Sequence, residues 1–244
     1  SAPMLAARAG AFTGQWLTSY NSVQVVYPDS TLVIGGALDR TTSEGMVQVP
    51  EDWSFDDTAY DKVVGSMLVA DKVLMTHEHL DHVMAIARHP DPDTLAFRLW
   101  LNAPQAAAVP QFAQGDLPAV LRNLPPRLDG TVQLVAPGVV VIPMPGHTPG
   151  AQLFFVTLQN GHEYLMIGDT VWSMSSIEEL TMRPVFTQFI VFDPDEDRTA
   201  VRAQIRAIHD LMQTNPQLTV FASHDRIWLG KLSEQGLINW GFTD

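Results

Sequence analysis

Short apolar runs alternate with polar turns along this chain, a pattern that predicts many strands and a few helices. Runs rich in Val, Leu, Ile, Phe and Tyr predict strands at 23–27, 31–34, 72–76, 95–101, 139–143, 152–158, 164–167 and 218–222. Helices are predicted at 81–87, 104–114 and 197–212, and a short turn at 118–124. The length fits one domain or two closely packed halves, and we expect a single α/β domain over 1–244 with mixed sheets.

The net charge of the chain argues against nucleic acid as a binding partner. The chain has 27 acidic and 14 basic residues, a formal net charge of −13. This charge disfavours a surface that binds the phosphate backbone of nucleic acid. No run approaches the roughly 18 apolar residues of a membrane-spanning helix, so membrane insertion is not expected. The stretch 41–61 has six carboxylates and no Lys or Arg, and we interpret it as a solvated surface loop, with an active-site lid as the alternative. The expected partner is a small-molecule substrate.

The segment 76–82, Thr-His-Glu-His-Leu-Asp-His, holds the densest group of metal-binding side chains. In extended backbone His77, His79 and Asp81 project to one side, and a helix starting near Asp81 would turn His82 towards them. Four ligands closing on one ion would be crowded, so two neighbouring ions are the simpler expectation. Because the chain has no Cys, any metal has to be held by His and carboxylate.

Three further candidate ligands each follow a predicted strand. The strand 139–143 runs into Pro-Gly-His-Thr-Pro-Gly, whose turn residues can aim His147. The strand 164–167 leads to Gly168-Asp169, and the strand 218–222 leads to His224-Asp225. Each of these signals is modest alone, since a turn or a helix cap explains it equally well. Together with the 76–82 segment they form an ordered set of seven nitrogen and oxygen donors.

This ordered set resembles the metallo-β-lactamase-fold superfamily of hydrolases. That family carries His-x-His-x-Asp-His, then a His in a Pro-Gly-His-Thr-Pro-Gly loop, then Gly-Asp, then a His at a strand end, as this chain does. The resemblance implies a four-layer αβ/βα sandwich of two mixed β-sheets, with the metals in a cleft at one edge of the sheets. It also implies two metal ions, the first held by His77, His79 and His147, the second by Asp81, His82 and His224, with Asp169 bridging them. The other histidines, His89, His162 and His209, match nothing and are expected to be surface or structural residues.

The donor set also predicts the chemistry. Imidazole and carboxylate suit two divalent ions, with zinc expected and iron or manganese as alternatives. Two such ions about 3.5–4 Å apart share a water and lower its pKa, which supplies a metal-bridging hydroxide as the nucleophile. Asp81 is the expected catalytic residue, orienting this hydroxide and passing its proton onward. We therefore expect a dinuclear hydrolase of a small ester, lactone or related acyl compound.

Within the superfamily the resemblance is to lactonases that open acyl-homoserine lactones and to related organophosphate hydrolases. The His224-Asp225 pair, preceded by an acidic segment and a long helix, is similar to theirs. The ligand set lacks the Cys of some lactamases, and because 20 residues follow His224 here while glyoxalase II-like thioesterases carry a C-terminal helical region, glutathione thioesters are not the expected substrates. Three alternatives stay open: a mononuclear iron persulfide dioxygenase-like oxidoreductase, a β-lactam or phosphotriester hydrolase, and a non-catalytic binding protein.

Two positions depart from the lactonase pattern. Trp172 stands where those enzymes usually have a Tyr after the bridging Asp, and Val83-Met84-Ala85 stands where many relatives have Gly-Gly, which would reshape the nearby wall. An apolar substrate wall could be formed by Trp172, Met174, Phe186 and Phe189, although for the two Phe we favour a place in the core.

Overall fold

A computed structural model describes residues 2–8, 10, 14–46, 53–113, 117–186 and 196–243. Its contacts divide the chain into two compact units. We call residues 20–131 and 239–244 the N-unit, and residues 1–19 and 132–238 the C-unit. Each unit is described by itself.

The described strands and helices are numbered in chain order. The strands are β1 Ala2–Pro3, β2 Gln15–Trp16, β3 Val23–Tyr27, β4 Ser30–Ile34, β5 Lys72–Leu74, β6 Gln133–Ala136, β7 Val139–Pro143, β8 Gln152–Thr157, β9 Glu163–Met166 and β10 Thr219–Phe221. The α-helices are α1 Met4–Ala7, α2 Arg40–Gly45, α3 Asp57–Val69, α4 Leu80–Ala87, α5 Pro92–Ala96, α6 Ala103–Phe112, α7 Ser175–Glu178, α8 Arg198–Thr214 and α9 Arg226–Glu234. A short 3₁₀ turn covers Ala119–Leu121.

The N-unit is built on a three-stranded sheet in the order β3-β4-β5. β3 and β4 form an antiparallel hairpin, and β5 lies parallel to β4, with Ile34 opposite Leu74. The helices α3, α4 and α6 pack apolar side chains into one core with this sheet, where Val73, Met75 and Ile86 are fully buried. β5 is buried in this core and ends one residue before position 75. The 76–82 segment therefore begins directly after the buried strand.

The C-unit is built on a five-stranded sheet in the order β10-β9-β8-β7-β6. β10 runs parallel to β9 and the other neighbours are antiparallel, so this sheet is mixed as well. The helix α8 lays Val201, Ile205 and Ile208 into a core that includes Leu165 and Ile167 of the sheet. The apolar residues recur at helical spacing, and the helix predicted at 197–212 is confirmed. A separate antiparallel pair, β1 and β2, belongs to the same unit.

The predicted α/β class with two mixed sheets is confirmed, and the predicted strands other than 95–101 are present with small differences at their ends. The strand at 95–101 is wrong. Asp91 caps a helix whose first residue is Pro92, so residues 92–96 are helical, and only an isolated bridge joins Leu99 to Val73. The apolar spacing that predicted a strand thus begins in a short helix with an N-cap.

The interpretation of 41–61 as a loop is also wrong for most of the residues described. α2 takes up residues 40–45, and α3 begins at Asp57 after the N-cap Asp56, whose carboxylate accepts from the Ala59 amide. The acidic residues that we assigned to a solvated loop therefore include helix caps, a role that Asp takes at helix starts. Residues 47–52 lie outside the described part of the chain.

Among the described helices of eight or more residues, two were not predicted. α3 has only Val64 and Met67 as large buried apolar residues, too few to give a clear helical period, and α9 follows the cap Asp225 near the end of the chain. Among the residues described, no helix combines the length and the apolar character that a bilayer span requires.

Candidate metal centre

In the N-unit, the four predicted ligands of the 76–82 segment come together; we call His77, His79, Asp81 and His82 the first ligand group. The ring centres of His77 and His82 are 4.1 Å apart and those of His77 and His79 are 4.8 Å apart. Nε2 of His82 lies 3.3 Å from Oδ2 of Asp81. His77 and His82 are each 1% exposed, whereas His79 and Asp81 are only partly buried. The segment gathers its donors, but the expectation that Asp81 projects from extended backbone is wrong, because α4 begins at Leu80 and Asp81 lies in its first turn.

Backbone geometry holds this group in place. His79 is the N-cap of α4, and its carbonyl accepts from the amides of His82 and Val83 at 3.0 Å each. The carbonyl of His82 approaches Gly36 so closely that a Cβ on Gly36 would lie 1.6 Å from it, which requires glycine at this position. The Ala85 amide also donates to the Ala37 carbonyl at 2.9 Å. The start of α4 is therefore clamped against the chain that follows β4.

In the C-unit, the three remaining predicted ligands converge from three strand ends; we call His147, Asp169 and His224 the second ligand group. Nε2 of His224 lies 3.0 Å from Oδ2 of Asp169, and Nε2 of His147 lies 3.9 Å from the same oxygen. All three residues are at most 4% exposed. One carboxylate oxygen thus faces two imidazoles inside a buried pocket of the unit.

The tautomer of His224 is fixed by its surroundings. Its Nδ1 lies 2.7 Å from the backbone carbonyl of Ser19, and since a carbonyl can only accept, Nδ1 carries the proton. A neutral ring then presents the Nε2 lone pair to a carboxylate oxygen of Asp169 at 3.0 Å. Two acceptors at this distance repel each other unless a proton or a metal ion lies between them. The arrangement is the one expected of two ligands of a single cation.

Asp225 ties the loop after β9 to the loop after β10. Its Oδ1 accepts from the Trp228 amide at 2.9 Å, as the N-cap of α9, and its Oδ2 accepts from the Met174 amide at 2.8 Å. The Ser223 amide donates to the Gly168 carbonyl at 3.1 Å. The two residues of the His-Asp pair therefore have different roles. His224 is a candidate ligand, and Asp225 holds the two loops together beside it.

The Nδ1 atom of His147 faces a buried arginine–glutamate pair. Nη2 of Arg183 lies 3.1 Å from Nδ1 of His147 and 2.5 Å from Oε1 of Glu196, and that oxygen is 3.6 Å from the same Nδ1. Burial by itself would raise the pKa of Glu196, but the hydrogen bond with His147 and the charge of Arg183 outweigh it and lower that pKa. Glu196 is therefore a buried anion, and the Nδ1 edge of His147 is engaged while its Nε2 faces Asp169.

A glutamine supports the loop that carries His147. Gln204 on α8 donates through Nε2 to the Pro145 carbonyl at 2.8 Å, and the Asp197 amide donates to the Gly146 carbonyl at 2.8 Å. The N-unit has a counterpart, because Gln105 on α6 donates through Nε2 to the Met75 carbonyl at 3.1 Å. In both units a glutamine on a helix holds the carbonyl two residues before a candidate histidine ligand.

The donor atoms fit divalent metal ions. With Zn–N bonds of about 2.0–2.1 Å and Zn–O bonds of about 2.0–2.2 Å, two ligands of a tetrahedral ion lie about 3.3–3.4 Å apart. The His82–Asp81 separation of 3.3 Å matches that spacing, and the His224–Asp169 separation of 3.0 Å is close to it. Nitrogen and carboxylate oxygen without sulfur is a ligand set that zinc, iron and manganese accept.

The histidines that matched nothing in the sequence pattern behave as expected. His89 is buried, with Nε2 3.1 Å from the Val64 carbonyl and Nδ1 accepting from the Asp91 amide, so it ties two helices of the N-unit together. His162 is exposed, and His209 lies beside Asp210 on α8 with Nδ1 3.1 Å from its carboxylate.

The predicted apolar wall is only partly supported. Met174 is 1% exposed within the C-unit core, so it is not a surface that substrate could reach. Phe186 is 43% exposed, so our preference for a core position is wrong there, and Phe189 lies outside the described residues. Val83, Met84 and Ala85 are all buried in the N-unit core, so they pack inside that unit instead of forming an exposed wall.

Trp172 contacts the second ligand group directly. Its Nε1–H donates to Oδ2 of Asp169 at 3.0 Å, its ring meets that of His224 edge to face at 6.2 Å, and the guanidinium of Arg183 lies 4.9 Å from its centre. Sequence reasoning noted Trp172 only as a departure from the family and missed the surrounding residues, namely Ser19, Arg183, Glu196 and Gln204. Nothing in the spacing of these four marks them, because they reach the ligands from distant parts of the chain.

The comparisons with known proteins bear on the fold. No family model matches the chain, and no curated protein matches it in sequence. Among solved structures, an N-acyl homoserine lactone hydrolase with its product N-hexanoyl-L-homoserine at the catalytic metal centre is similar, at 12% identity and a TM-score of 0.65 over 94% of this chain and 91% of that one. A probable metal-dependent hydrolase from Staphylococcus aureus is similar at 16% identity and a TM-score of 0.61, over 85% and 75%.

A dizinc quorum-quenching lactonase in complex with a product is also similar, at 13% identity and a TM-score of 0.56 over 85% of this chain and 72% of that one. At this level of identity the likeness establishes the fold. The chain therefore has the metallo-β-lactamase fold of these lactonases, as the sequence motifs predicted.

Proposed function

We propose that this protein is a dinuclear metal-dependent hydrolase of small esters, lactones or related acyl compounds. In this proposal His77, His79 and His147 hold one ion, Asp81, His82 and His224 hold the other, and Asp169 bridges the two. The observation that carries the proposal is the approach of Nε2 of His224 to a carboxylate oxygen of Asp169 at 3.0 Å, with the Nδ1 edge of the ring facing the Ser19 carbonyl. The lactonase and hydrolase structures that share the fold support the same reading.

Two divalent ions held by these residues would supply the electrophilic part of the chemistry, by making water a nucleophile near neutral pH and by polarising the acyl oxygen of the substrate. Zinc is the expected metal, with iron or manganese as alternatives, because the donor set admits all three. The protein's own residues fix the geometry in advance, through the capped start of α4 in the N-unit and the Ser19 carbonyl in the C-unit.

Asp81 is the proposed proton carrier. Its side chain is 14% exposed, more than that of the neighbouring His82, so it can exchange a proton with solvent while Oδ2 stays 3.3 Å from Nε2 of His82. A carboxylate so placed can accept the proton of the attacking water and release it to the leaving alcohol. This role needs a carboxylate that lies beside the ligand group and is accessible to solvent, and Asp81 has both properties.

The test combines metal analysis with a substrate panel. Purified protein is analysed for zinc, iron and manganese and then assayed with acyl-homoserine lactones, aryl esters, thioesters, phosphotriesters and β-lactams. We expect two divalent ions per chain and metal-dependent cleavage of a lactone or an ester. His82→Ala is expected to lose metal and activity, whereas the matched control His162→Ala, at an exposed histidine, is expected to keep both.

Other outcomes would replace the proposal. One iron per chain with oxygen uptake on a persulfide would indicate a dioxygenase, and turnover confined to β-lactams or phosphotriesters would move the substrate class within the same fold. Full metal content with no cleavage of any compound in the panel would contradict the hydrolase assignment. A chain that retains no metal would support a binding protein.

A further inference from the structure

A buried side-chain network in the C-unit connects residues that no ligand motif includes. Among the arginines described, Arg183 is the buried one, at 5% exposed. An arginine in a protein interior has to be paired, since an uncompensated buried charge is strongly destabilising. Its partner is Glu196, at 2.5 Å, and Arg198 also contacts Glu196, with Nη1 3.3 Å from Oε2.

The guanidinium of Arg183 has two further contacts, one to each side. Its Nη2 lies 3.1 Å from Nδ1 of His147. Its central carbon, Cζ, lies 4.9 Å from the ring centre of Trp172, within the range of a cation–π contact. Trp172 in turn donates Nε1–H to Oδ2 of Asp169 at 3.0 Å. A His147 ring that binds a metal ion through Nε2 carries its proton on Nδ1, and because a guanidinium can only donate, this proton faces the Glu196 carboxylate that Arg183 holds. Arg183 therefore acts on His147 through Glu196 and on Asp169 through a single indole.

We propose that Arg183 is a positioning residue for the second ligand group, orienting His147 through Glu196 and orienting Asp169 through Trp172. The inference rests on the proposed function, because it takes His147 and Asp169 to be metal ligands. The inference also assigns a role to Trp172. Its indole donates to the carboxylate of Asp169, which faces both His224 and His147.

The chemistry of metal sites supplies the reason for such a network. Hydrogen bonds to the far edge of a ligating imidazole, and to a ligating carboxylate, fix the direction of the lone pairs that bind the ion. A buried guanidinium next to cations would be repulsive by itself, but Glu196 neutralises it at 2.5 Å, so the pair orients ligands without adding net charge. Loss of such outer contacts typically lowers metal affinity or activity about 10- to 100-fold.

The experiment measures metal binding directly, so it does not depend on turnover. Wild type, Arg183→Lys, Glu196→Gln and Trp172→Phe are loaded with Co²⁺, and affinity is measured by competition with a chelator while the visible Co²⁺ spectrum reports ligand geometry. Trp172→Phe is the decisive variant, because it keeps the ring and removes only the donor to Asp169. We expect about 10- to 100-fold weaker binding and an altered spectrum in all three variants.

Two controls separate positioning from general stability. Trp228→Phe removes an equivalent indole donor in the same unit, one that bonds the Val220 carbonyl at 2.8 Å, and Arg8→Gln removes an exposed Arg–Glu pair with Glu179. Both are expected to keep the wild-type affinity and spectrum. The double variant of Arg183→Lys and Trp172→Phe should lose less affinity than the product of the two single losses, because one residue acts partly through the other.

The outcomes decide the inference one way or the other. Variants with a lower melting temperature of the metal-free protein but affinity within about two-fold of wild type and an unchanged spectrum would overturn it, leaving the network a structural ion pair. Wild type that binds no Co²⁺ would overturn it together with the proposed ligand set. Wild type that binds Co²⁺ but cleaves no substrate would remove the hydrolase function alone, and the affinities and spectra would still decide the role of Arg183.

Discussion

The two ligand groups are built by different means. The first lies within six residues of chain and is positioned by backbone, through the N-cap at His79 and the contact of Gly36 with the His82 carbonyl. The second is assembled from three strand ends and is positioned by side chains, through the Arg183–Glu196 pair and Trp172. A ligand set that is local in sequence is gathered by its own secondary structure and then held by a few backbone contacts, whereas a dispersed one depends on polar contacts from side chains and carbonyls far away in the sequence.

The largest expected effect breaks the second group at its centre. Asp169→Ala removes the one carboxylate that faces both His147 and His224, so we expect loss of metal and a loss of turnover larger than that of any other variant discussed below. Metal analysis and activity of the purified variant check this. Retention of two ions with near-normal turnover would remove Asp169 from the proposed bridge and with it the centre of the second group.

Asp81→Asn tests the first group and is expected to separate binding from chemistry. The amide keeps a donor oxygen and the shape of the side chain but cannot carry a proton, so metal content should stay near that of wild type while turnover falls roughly 10²- to 10⁴-fold. Elemental analysis and steady-state rates are measured on the same preparation. Unchanged turnover at full metal content would contradict the proton-carrying role.

A pair of glycine variants compares backbone with side-chain support. At Gly36 an added Cβ would lie 1.6 Å from the His82 carbonyl, and rigid backbone cannot yield, so we expect Gly36→Ala to lower the free energy of unfolding by about 3 kcal/mol or more. At Gly146 the nearest atom, 2.8 Å away, is the Nε2 end of Gln204, which can shift, so Gly146→Ala should cost about 1 kcal/mol. Urea unfolding of both variants gives the values, and equal losses would contradict the contrast.

The smallest expected effects come from the two glutamines. Gln105→Met and Gln204→Met each remove a hydrogen bond to the carbonyl two residues before a histidine, and each should cost about 1 kcal/mol of stability. Only Gln204→Met is expected to weaken metal binding, by up to about 10-fold, because the first group keeps its backbone support. Chelator competition on both variants checks this, and an equal loss of affinity would mean that the two groups depend on side chains alike.

The local part of the structure was well predicted. Strands such as β3 and β7 and the long helix α8 follow from apolar periodicity, whereas the assignment of the seven candidate ligands to metal ions stays a prediction. The strand at 95–101 failed because an N-cap at Asp91 and a proline at position 92 outweighed the apolar spacing. The acidic stretch failed because single Asp residues such as Asp56 act as helix caps, which net charge does not reveal.

The sequence by itself determined the donors. Their residue types, their order and the absence of sulfur follow from the sequence alone, and the four residues of the first group lie close together along the chain. Only the tertiary structure decided what surrounds the donors: that the Ser19 carbonyl sets the tautomer of His224, that Trp172 donates to Asp169, and that Arg183 pairs with Glu196 beside His147. The physical reason is range, since periodicity and capping act over a few residues, whereas these hydrogen bonds join side chains and carbonyls brought together only by packing of the folded unit.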